Sequence, residues 1–498
     1  MPELLTAPAA SPAETNPFQP AAGRAPRWLF TALWLVILAA LTVQFAWPLA
    51  ALPFHVSWNN NEGWNAYWTA RALAGQPLYT DAASPISNNY PPLSFYIVGG
   101  FGRLIGDPII AGRIICLGSL IATTLLIERI IARFGGSRWW GAAAAAVFLL
   151  IIATVAQRYL AADDPQWLAE APMVASLLLL IGRTAEMPSR ARLVAACLLM
   201  LLGGLIKHNQ VALPIATTVW LAFYHRRGLA IWLVTAAVAG GAALAALALI
   251  YGHPFFDQVL HHQRIVSVKL IGGALHSVSY TLPEMLLAGL LAYSRPRDPR
   301  ISLLLIFAPI AVLVGIFERL GVGVSQNAHF DGAIALTILA GIVLSCGMIG
   351  LRSVWLRLAV LAVMVAPLAA RVARKAPENL REASAMKQTD ARWQQAIALL
   401  ARQPGAVACE RPALCYWSGK PYALDVSNYG QKLRKGHDPI GLREQIARKQ
   451  IGAFVELRDN RYMAGRGRLP DDFYRLMETR YRVAQVLPDD LYIVVPAD

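Results

Sequence analysis

Charge is what this chain has least of. Asp, Glu, Lys and Arg make up only 15% of its 498 residues, against 56% hydrophobic, and the mean hydropathy is +0.45. A soluble chain of this size needs a far more charged surface, so a water-soluble globular protein is excluded. Carboxylates are scarcer than cations: 30 Asp and Glu stand against 45 Lys and Arg, a formal net charge of +15. That excess does not mean nucleic acid, because no basic-aromatic motif for it is present. The cations instead form short clusters between apolar runs: Arg24/Arg27, Arg129/Arg133/Arg138, Arg183/Arg190/Arg192, Arg226/Arg227, Arg295/Arg297/Arg300 and Arg352/Arg357. This is the positive-inside pattern that orients membrane helices. Metal-ligand spacings are absent too; His253, His261 and His262 fit no strong ligand motif. Cysteine is rare, at five. Cys116, Cys197 and Cys346 fall in apolar runs as packing residues. Cys409 and Cys415 lie in a polar stretch and are candidates for a disulfide if that stretch is outside the cytosol.

What is abundant is the apolar run of about 20 residues, the length that crosses a bilayer. Placing every arginine cluster in the cytoplasm gives eleven spans: 28–52, 107–131, 139–157, 168–183, 191–206, 209–224, 229–251, 279–294, 301–317, 331–349 and 354–371. The first run is too long for a signal peptide, and the Pro/Ala-rich leader before it lacks the right n-region. The segment Pro91–Gly106 is apolar but short and carries Arg103, so it reads as a juxtamembrane helix in the interface. The expected fold is an all-α polytopic membrane protein, with about 11–13 transmembrane helices and a small C-terminal α/β extracytoplasmic domain. Its parts are a disordered cytoplasmic N-terminus (1–27), a membrane domain (28–371) with a long outer loop (53–106), and a C-terminal domain (372–498). A Lys/Pro/Glu stretch near 374–388 reads as a tether. Beyond it ARWQQAIALLA reads as a helix, GAVACE and AFVEL as short strands, and YRVAQVLPDDLYIVV as a hairpin. No internal repeat is visible.

That topology places four polar loops on the outer face (53–106, 158–167, 252–278 and 318–330), and the unusual polar residues collect in or beside them. NNNEGWNAYW (Asn59–Trp68) carries Asn61, Glu62, Trp64 and Tyr67. An interfacial aromatic belt with a solvated Glu62 is the plain alternative. SNNYPP (Ser87–Pro92) holds Asn89 and Tyr90 before two prolines that fix an extended turn. Asp163 and Asp164 precede Pro165 at a helix start, where an aspartate also caps. Two adjacent carboxylates at membrane depth are costly unless they serve a purpose, and Glu170 is subject to the same argument. Lys207, His208, Asn209 and Gln210 form a polar knot between apolar runs, and a cation there meets an anion, either the Asp163/Asp164 pair or a bound phosphate. Arg264, Lys269 and Arg319 add positive charge on that face. Gln326, Asn327 and His329 suit sugar hydroxyls as well as a plain turn.

In order and spacing these features resemble the GT-C membrane glycosyltransferases. The likeness is to the family 39-like group of protein O-mannosyltransferases and the aminoarabinose transferase acting on lipid A. It rests on a first span, an acidic motif at Glu62-Gly63, Pro91-Pro92 before a juxtamembrane helix, and an acid after the third span. It covers about 1–220 in order and the rest in architecture. The resemblance implies a polyprenyl-phosphate-linked sugar donor and a hydroxyl acceptor on a lipid, glycan or protein. It also implies inversion at the anomeric carbon and release of polyprenyl phosphate, on the periplasmic face of a bacterial inner membrane. The family's Asp-Glu pair is Asn61-Glu62 here, so the base shifts to Glu62 or Asp164. The arginine and the lysine that lipid A-type relatives carry near these motifs are Trp64 and Tyr90, so phosphate binding passes to Lys207 and Arg264. Catalytic candidates are therefore Glu62, Asp163 and Asp164, with Trp64, Tyr67 and Tyr90 stacking on sugar. No cofactor is required; the paired acids would permit a divalent metal, Mg or Mn. The rivals are a transporter or flippase of a lipid-linked glycan, which needs polar groups along the whole path, and a non-catalytic scaffold.

Overall fold

A computed structural model describes residues 27–262, 264–458, 468–488 and 490–498. Of the leader expected to be disordered, only Arg27 is among them, and it opens the first helix. Apolar backbone without water must bond to itself, and the apolar runs accordingly form helices. These are α1 (Arg27–Ala51), α2 (Asn60–Leu73), α3 (Leu93–Ile105), α4 (Pro108–Ala132), α5 (Arg138–Val155), α6 (Gln166–Leu180), α7 (Arg190–Ile206), α8 (Ala212–Tyr224) and α9 (Arg226–Tyr251). There follow α10 (His253–Val259), α11 (Ile271–Val278), α12 (Leu282–Tyr293), α13 (Pro299–Arg319), α14 (Phe330–Cys346) and α15 (Val354–Ser384). A helix stands at each of the eleven expected spans. Seven stretches among the described residues are long and apolar enough to cross a bilayer alone: Trp28–Ala51, Pro108–Ala132, Arg138–Val155, Arg226–Tyr251, Pro299–Arg319, Gln326–Cys346 and Val354–Ser384. The other four are shorter, with 15 residues in α6, 17 in α7, 13 in α8 and 12 in α12. Polar connections replace the missing turns of α6, α7 and α8 at one end of the bundle, and those connections carry the site. The bundle core is a single apolar cluster centred on α14, whose residues from Gly332 to Cys346 are all buried.

The short segment after Pro92 is the amphipathic helix α3. It buries Phe95, Val98, Gly99 and Gly102 and exposes Tyr96, Ile97, Leu104 and Ile105. Pro92 has φ −79° and ψ −17°, so the turn expected to be extended is already helical at its second proline.

The tether expected near 374–388 is instead helix. α15 runs unbroken through Pro367 and Pro377, and α16 (Met386–Arg402) follows after Ala385. Proline survives here because its neighbours are Ala, Arg, Glu and Leu, good helix formers, and because α1 packs along the same length. Asn379 donates to Gln44 (2.8 Å), whose own amide donates to the Ala153 carbonyl (3.0 Å).

The C-terminal domain is built on a four-stranded sheet, order β1-β2-β4-β3, of β1 (Ala406–Cys409), β2 (Ile451–Leu457), β3 (Tyr481–Leu487) and β4 (Leu491–Pro496). β1 runs parallel to β2, and β3 and β4 form the expected antiparallel hairpin. One face packs on α16, on the end of α1 through Ala51, on the connection after it through Val56 and on α2 through Tyr67; the other packs on α18 (Val426–Arg434) and a helix at Asp471–Arg480. Cys409 and Cys415, the latter in α17 (Pro412–Trp417), are joined as a disulfide. Cys116, Cys197 and Cys346 are free and buried.

The domain is seated on α2. A Cβ on Gly63 would lie 1.9 Å from the Ala413 nitrogen, so only glycine lets α2 and α17 approach this closely. That gives the Glu62-Gly63 pair a steric reason for its second residue.

Candidate functional site

Three carboxylates and two cations meet where α4 and α6 begin and α7 ends. Glu62 stands in the first turn of α2, whose N-cap Asn59 accepts from the Asn61 backbone at 2.9 Å. Its carboxylate takes two hydrogen bonds from Arg113, at 2.7 and 3.2 Å, and both side chains are almost fully buried. Arg113 spends its remaining donors on the carbonyls of Ala51 (2.8 Å), Phe54 (2.8 Å) and Val56 (2.6 Å), with Leu52 at 3.3 Å. The guanidinium thus pins the end of α1 and the start of the 53–106 loop to α4. Arg113 lies in a run expected to be plain membrane span and escaped the sequence reading. The available signal was a charge inside an apolar segment.

Asp164 holds the second cation. Lys207 donates to its Oδ1 at 3.1 Å, Asn61 to its Oδ2 at 2.6 Å, and the Gln166 backbone N–H to Oδ1 at 2.9 Å. The N-cap of α6 is Pro165, and Asp164, one residue before it, both satisfies the first N–H of the helix, that of Gln166, and carries the ion pair. Lys207 sits 4.9 Å over the ring of Tyr90, a cation–π contact. Burial works against the ammonium, but the Asp164 carboxylate, with Tyr90 and Tyr159, raises its pKa overall. Burial likewise pushes the Tyr90 phenol up, although Lys207 and Arg264 pull the other way.

Asp163 differs from both. Burial, then the negative charges of Glu62 and Asp164, push its carboxyl well above the usual aspartate range, with Arg113 opposing. Its Oδ2 is buried without a partner, and its other oxygen occupies the space where a Cβ on Gly112 would be, 2.0 Å away. One acid of the adjacent pair is thus salt-bridged and the other holds its proton to higher pH.

Trp64 is T-shaped on Tyr90, with ring centres 4.9 Å apart, and donates its indole N–H to Asp425 of the C-terminal domain at 3.0 Å. Tyr67, expected on sugar, turns away from the acids. Its hydroxyl donates to the Lys420 carbonyl (2.8 Å) and its ring stacks on Tyr422 (4.5 Å), so it docks the C-terminal domain. α2 has two faces, and Tyr67 is on the one that meets the domain. Asn89 is buried beside Tyr90, while His208 is exposed next to Lys207. Arg264 is half-buried against Gly321, with its charge felt by Tyr90 and by Glu318.

The polar residues at the start of α14 divide. Asn327 donates to Gln166 (2.9 Å) and accepts from Tyr159 (3.1 Å); Gln166 and Gln210 in turn donate to Glu170, at 2.9 and 3.2 Å. This chain of amides leads from Gln166, whose backbone Asp164 holds, toward Glu170 inside α6. Gln326 and His329 instead line a separate, mostly apolar cavity with Ile151, Val155, Val312 and Phe330. They are not brought to the acids. A second, narrow cleft reaches Glu62 and Arg113 past Trp47, Trp58, Gln157 and Arg158.

No family model matches the sequence, and no curated protein matches it. Solved structures do. ArnT from Cupriavidus metallidurans bound to undecaprenyl phosphate matches 95% of this chain and 98% of its own, with TM-score 0.57 and 17% identity. The Archaeoglobus fulgidus oligosaccharyltransferase tethered to an acceptor peptide matches 95% of this chain and 74% of its own, with TM-score 0.52 and 13% identity. The same organism's AglB, in complex with an inhibitory peptide and a dolichol-phosphate, gives 0.51 at 12% identity. Identities this low speak for backbone architecture alone, and on that architecture the chain has the fold of the GT-C membrane glycosyltransferases.

Proposed function

We propose that the protein moves a sugar from a polyprenyl-phosphate donor to a hydroxyl of a lipid, glycan or protein, on the periplasmic face of a bacterial inner membrane. The observation that carries this reading is the buried Asp164–Lys207 pair, roofed by Tyr90 and set beside Glu62–Arg113 at one end of a GT-C fold. The Cys409–Cys415 disulfide favours an oxidising compartment for the C-terminal domain, and thus the outer face.

Of the two bases left open by the sequence, Glu62 is the poorer. Arg113 occupies both its oxygens, so it holds the loop rather than taking a proton. Asp164 is the better, because the Asn61 amide on its Oδ2 can be exchanged for the acceptor hydroxyl while Lys207 stays on Oδ1. In the proposed step the acceptor oxygen attacks the anomeric carbon from the side opposite the phosphate. The carbon–oxygen bond to phosphate breaks, the phosphate leaves with the electron pair on its polyprenyl chain, and Asp164 takes the hydroxyl proton. Lys207, with Arg264, neutralises the departing phosphate, charge stabilisation of the kind that a fixed cation supplies best in a dry site. Burial and the neighbouring carboxylates favour the protonated form of Asp163, the form that can donate to a sugar oxygen.

The test is a panel of radiolabelled polyprenyl-phosphate sugars presented to the protein in lipid, with a membrane extract as acceptor source. Transfer by the wild type and its loss in Asp164→Asn, with thermal stability retained, is expected. Equal transfer by the variant sinks the assignment.

A further inference from the structure

A side chain of the C-terminal domain, Asp425, reaches the aromatic pair beside the ion pair. We infer that Asp425 is a positioning residue for the Lys207–Asp164 pair, acting through Trp64 and Tyr90; this rests on the proposed function only where it concerns rate. Four contacts connect in series. Asp425 Oδ2 accepts from the Trp64 indole N–H at 3.0 Å. The Trp64 ring meets the Tyr90 ring edge-on at 4.9 Å. The Lys207 ammonium lies 4.9 Å over that Tyr90 ring, and it reaches Asp164 at 3.1 Å. Asp425 is 2% exposed and Trp64 9%, so water is not available to replace the first link.

Helix capping alone does not explain Asp425. A cap uses one oxygen, and here Oδ1 accepts from the Asn428 backbone at 3.0 Å while closing the first turn of α18. Oδ2 is left for the indole and for the Asn428 side chain at 2.7 Å. The backbone N–H of Asp425 itself donates to the Pro85 carbonyl at 3.0 Å, so the residue is tied to the 53–106 loop at two points. The aromatic ring it steadies packs in the cluster of Trp64, Trp68 and Phe95, with Lys207 over its face, and Trp64 is the member of that cluster that Asp425 holds. Tyr90 is held through its backbone, by Asn88 at 3.0 Å and by the Tyr79 hydroxyl at 2.9 Å, while its ring rests on Trp64. Release of the indole lets Trp64 rotate, removes the edge that fixes the Tyr90 ring, and leaves Lys207 free to shift from Asp164. The domain thus acts on the pair without touching it.

The experiment compares wild type, Asp425→Asn, Trp64→Phe, the double variant and Asn428→Ala, in lipid, by hydrogen–deuterium exchange and by sugar transfer. Asp425→Asn keeps an oxygen for the cap but puts an amide where the indole N–H needs an acceptor. Faster exchange at 87–96 and 203–211 is expected in Asp425→Asn and Trp64→Phe, with no further increase in the double variant. Asn428→Ala keeps the backbone cap on Oδ1 and removes only its own side-chain donor from Oδ2, so the indole keeps its acceptor and exchange at 87–96 and 203–211 should stay at the wild-type rate. Transfer should fall about tenfold in kcat with KM nearly unchanged, the loss of one buried hydrogen bond to a charged acceptor. Exchange at 87–96 and 203–211 unchanged in Asp425→Asn, or effects of the two substitutions that add, would overturn the inference. If the wild type transfers no sugar while the exchange pattern appears, the functional reading fails and the positioning role stands.

Discussion

Removal of the Arg113 side chain is the most informative single change to the scaffold of the site. In Arg113→Met the Glu62 carboxylate stays buried, at 2% exposure, with no counter-charge. Breaking one partner out of a buried ion pair costs about 3–5 kcal/mol. The carbonyls of Ala51, Phe54 and Val56 lose their donor as well, each exposed to a penalty of roughly 1–3 kcal/mol unless water enters. Glu62→Gln is milder: the amide oxygen still accepts from Arg113, and the guanidinium keeps its carbonyls, so about 1.5–3 kcal/mol is expected. In the double variant no charge remains to be stranded, so its cost should fall below the sum of the two by roughly 2 kcal/mol or more. The carbonyls are still orphaned, so it should not return to wild type. The assay is denaturant unfolding in micelles followed by near-UV circular dichroism, with all four proteins at one detergent concentration. A loss below about 1 kcal/mol in Arg113→Met, or a double variant that simply adds, would refute the buried-pair reasoning.

Three further outcomes follow from the same geometry. Gly63→Ala drives a methyl into the Ala413 backbone, so α2 and α17 must part; limited proteolysis should release the C-terminal domain at protease levels that leave the wild type intact. The raised pKa of Asp163 means that the folded state binds its proton more tightly than the unfolded chain, whose value is the ordinary 3.8. Stability therefore falls as pH rises from there through the folded value, and Asp163→Asn should flatten this dependence; melting curves at several pH values would show it, and parallel curves would contradict it. The Cys409–Cys415 bridge spans a separation of six residues, a loop whose closure is worth roughly 2 kcal/mol. Alkylation under non-reducing conditions should leave these two thiols unmodified in protein taken from cells, and reductant should lower the melting point of the C-terminal domain.

Hydropathy and arginine placement made the bundle legible, since both reflect transfer energies that act on each segment separately. Glu62, Asp163, Asp164 and Lys207 could be singled out for the same local reason: polar groups at membrane depth need partners. What the partners are was less visible. Arg113 was hidden because its apolar neighbours made the run score as ordinary span. Asp425 and Trp64 are 361 positions apart, and nothing in either local pattern announces the other. Tyr67 was placed on sugar because aromatics near acids suit sugar, yet the same ring suits a domain interface. The stretch 374–388 read as a tether because Pro, Lys and Glu are linker residues in water; beside α1 they continue a helix instead.

The most direct measurement is turnover itself, followed as release of polyprenyl phosphate from a labelled donor by protein reconstituted in lipid. The readout needs no knowledge of the product glycan and separates bond cleavage from mere transport. Wild type should release the lipid phosphate only with acceptor present. Asp164→Asn should lower kcat by at least about a hundredfold, as expected for a lost general base, with KM little changed, and Lys207→Met should lower both kcat and donor affinity. Labelled donor that crosses the bilayer uncleaved, or release that is equal in all three proteins, would contradict a glycosyl transfer centred on Asp164 and Lys207.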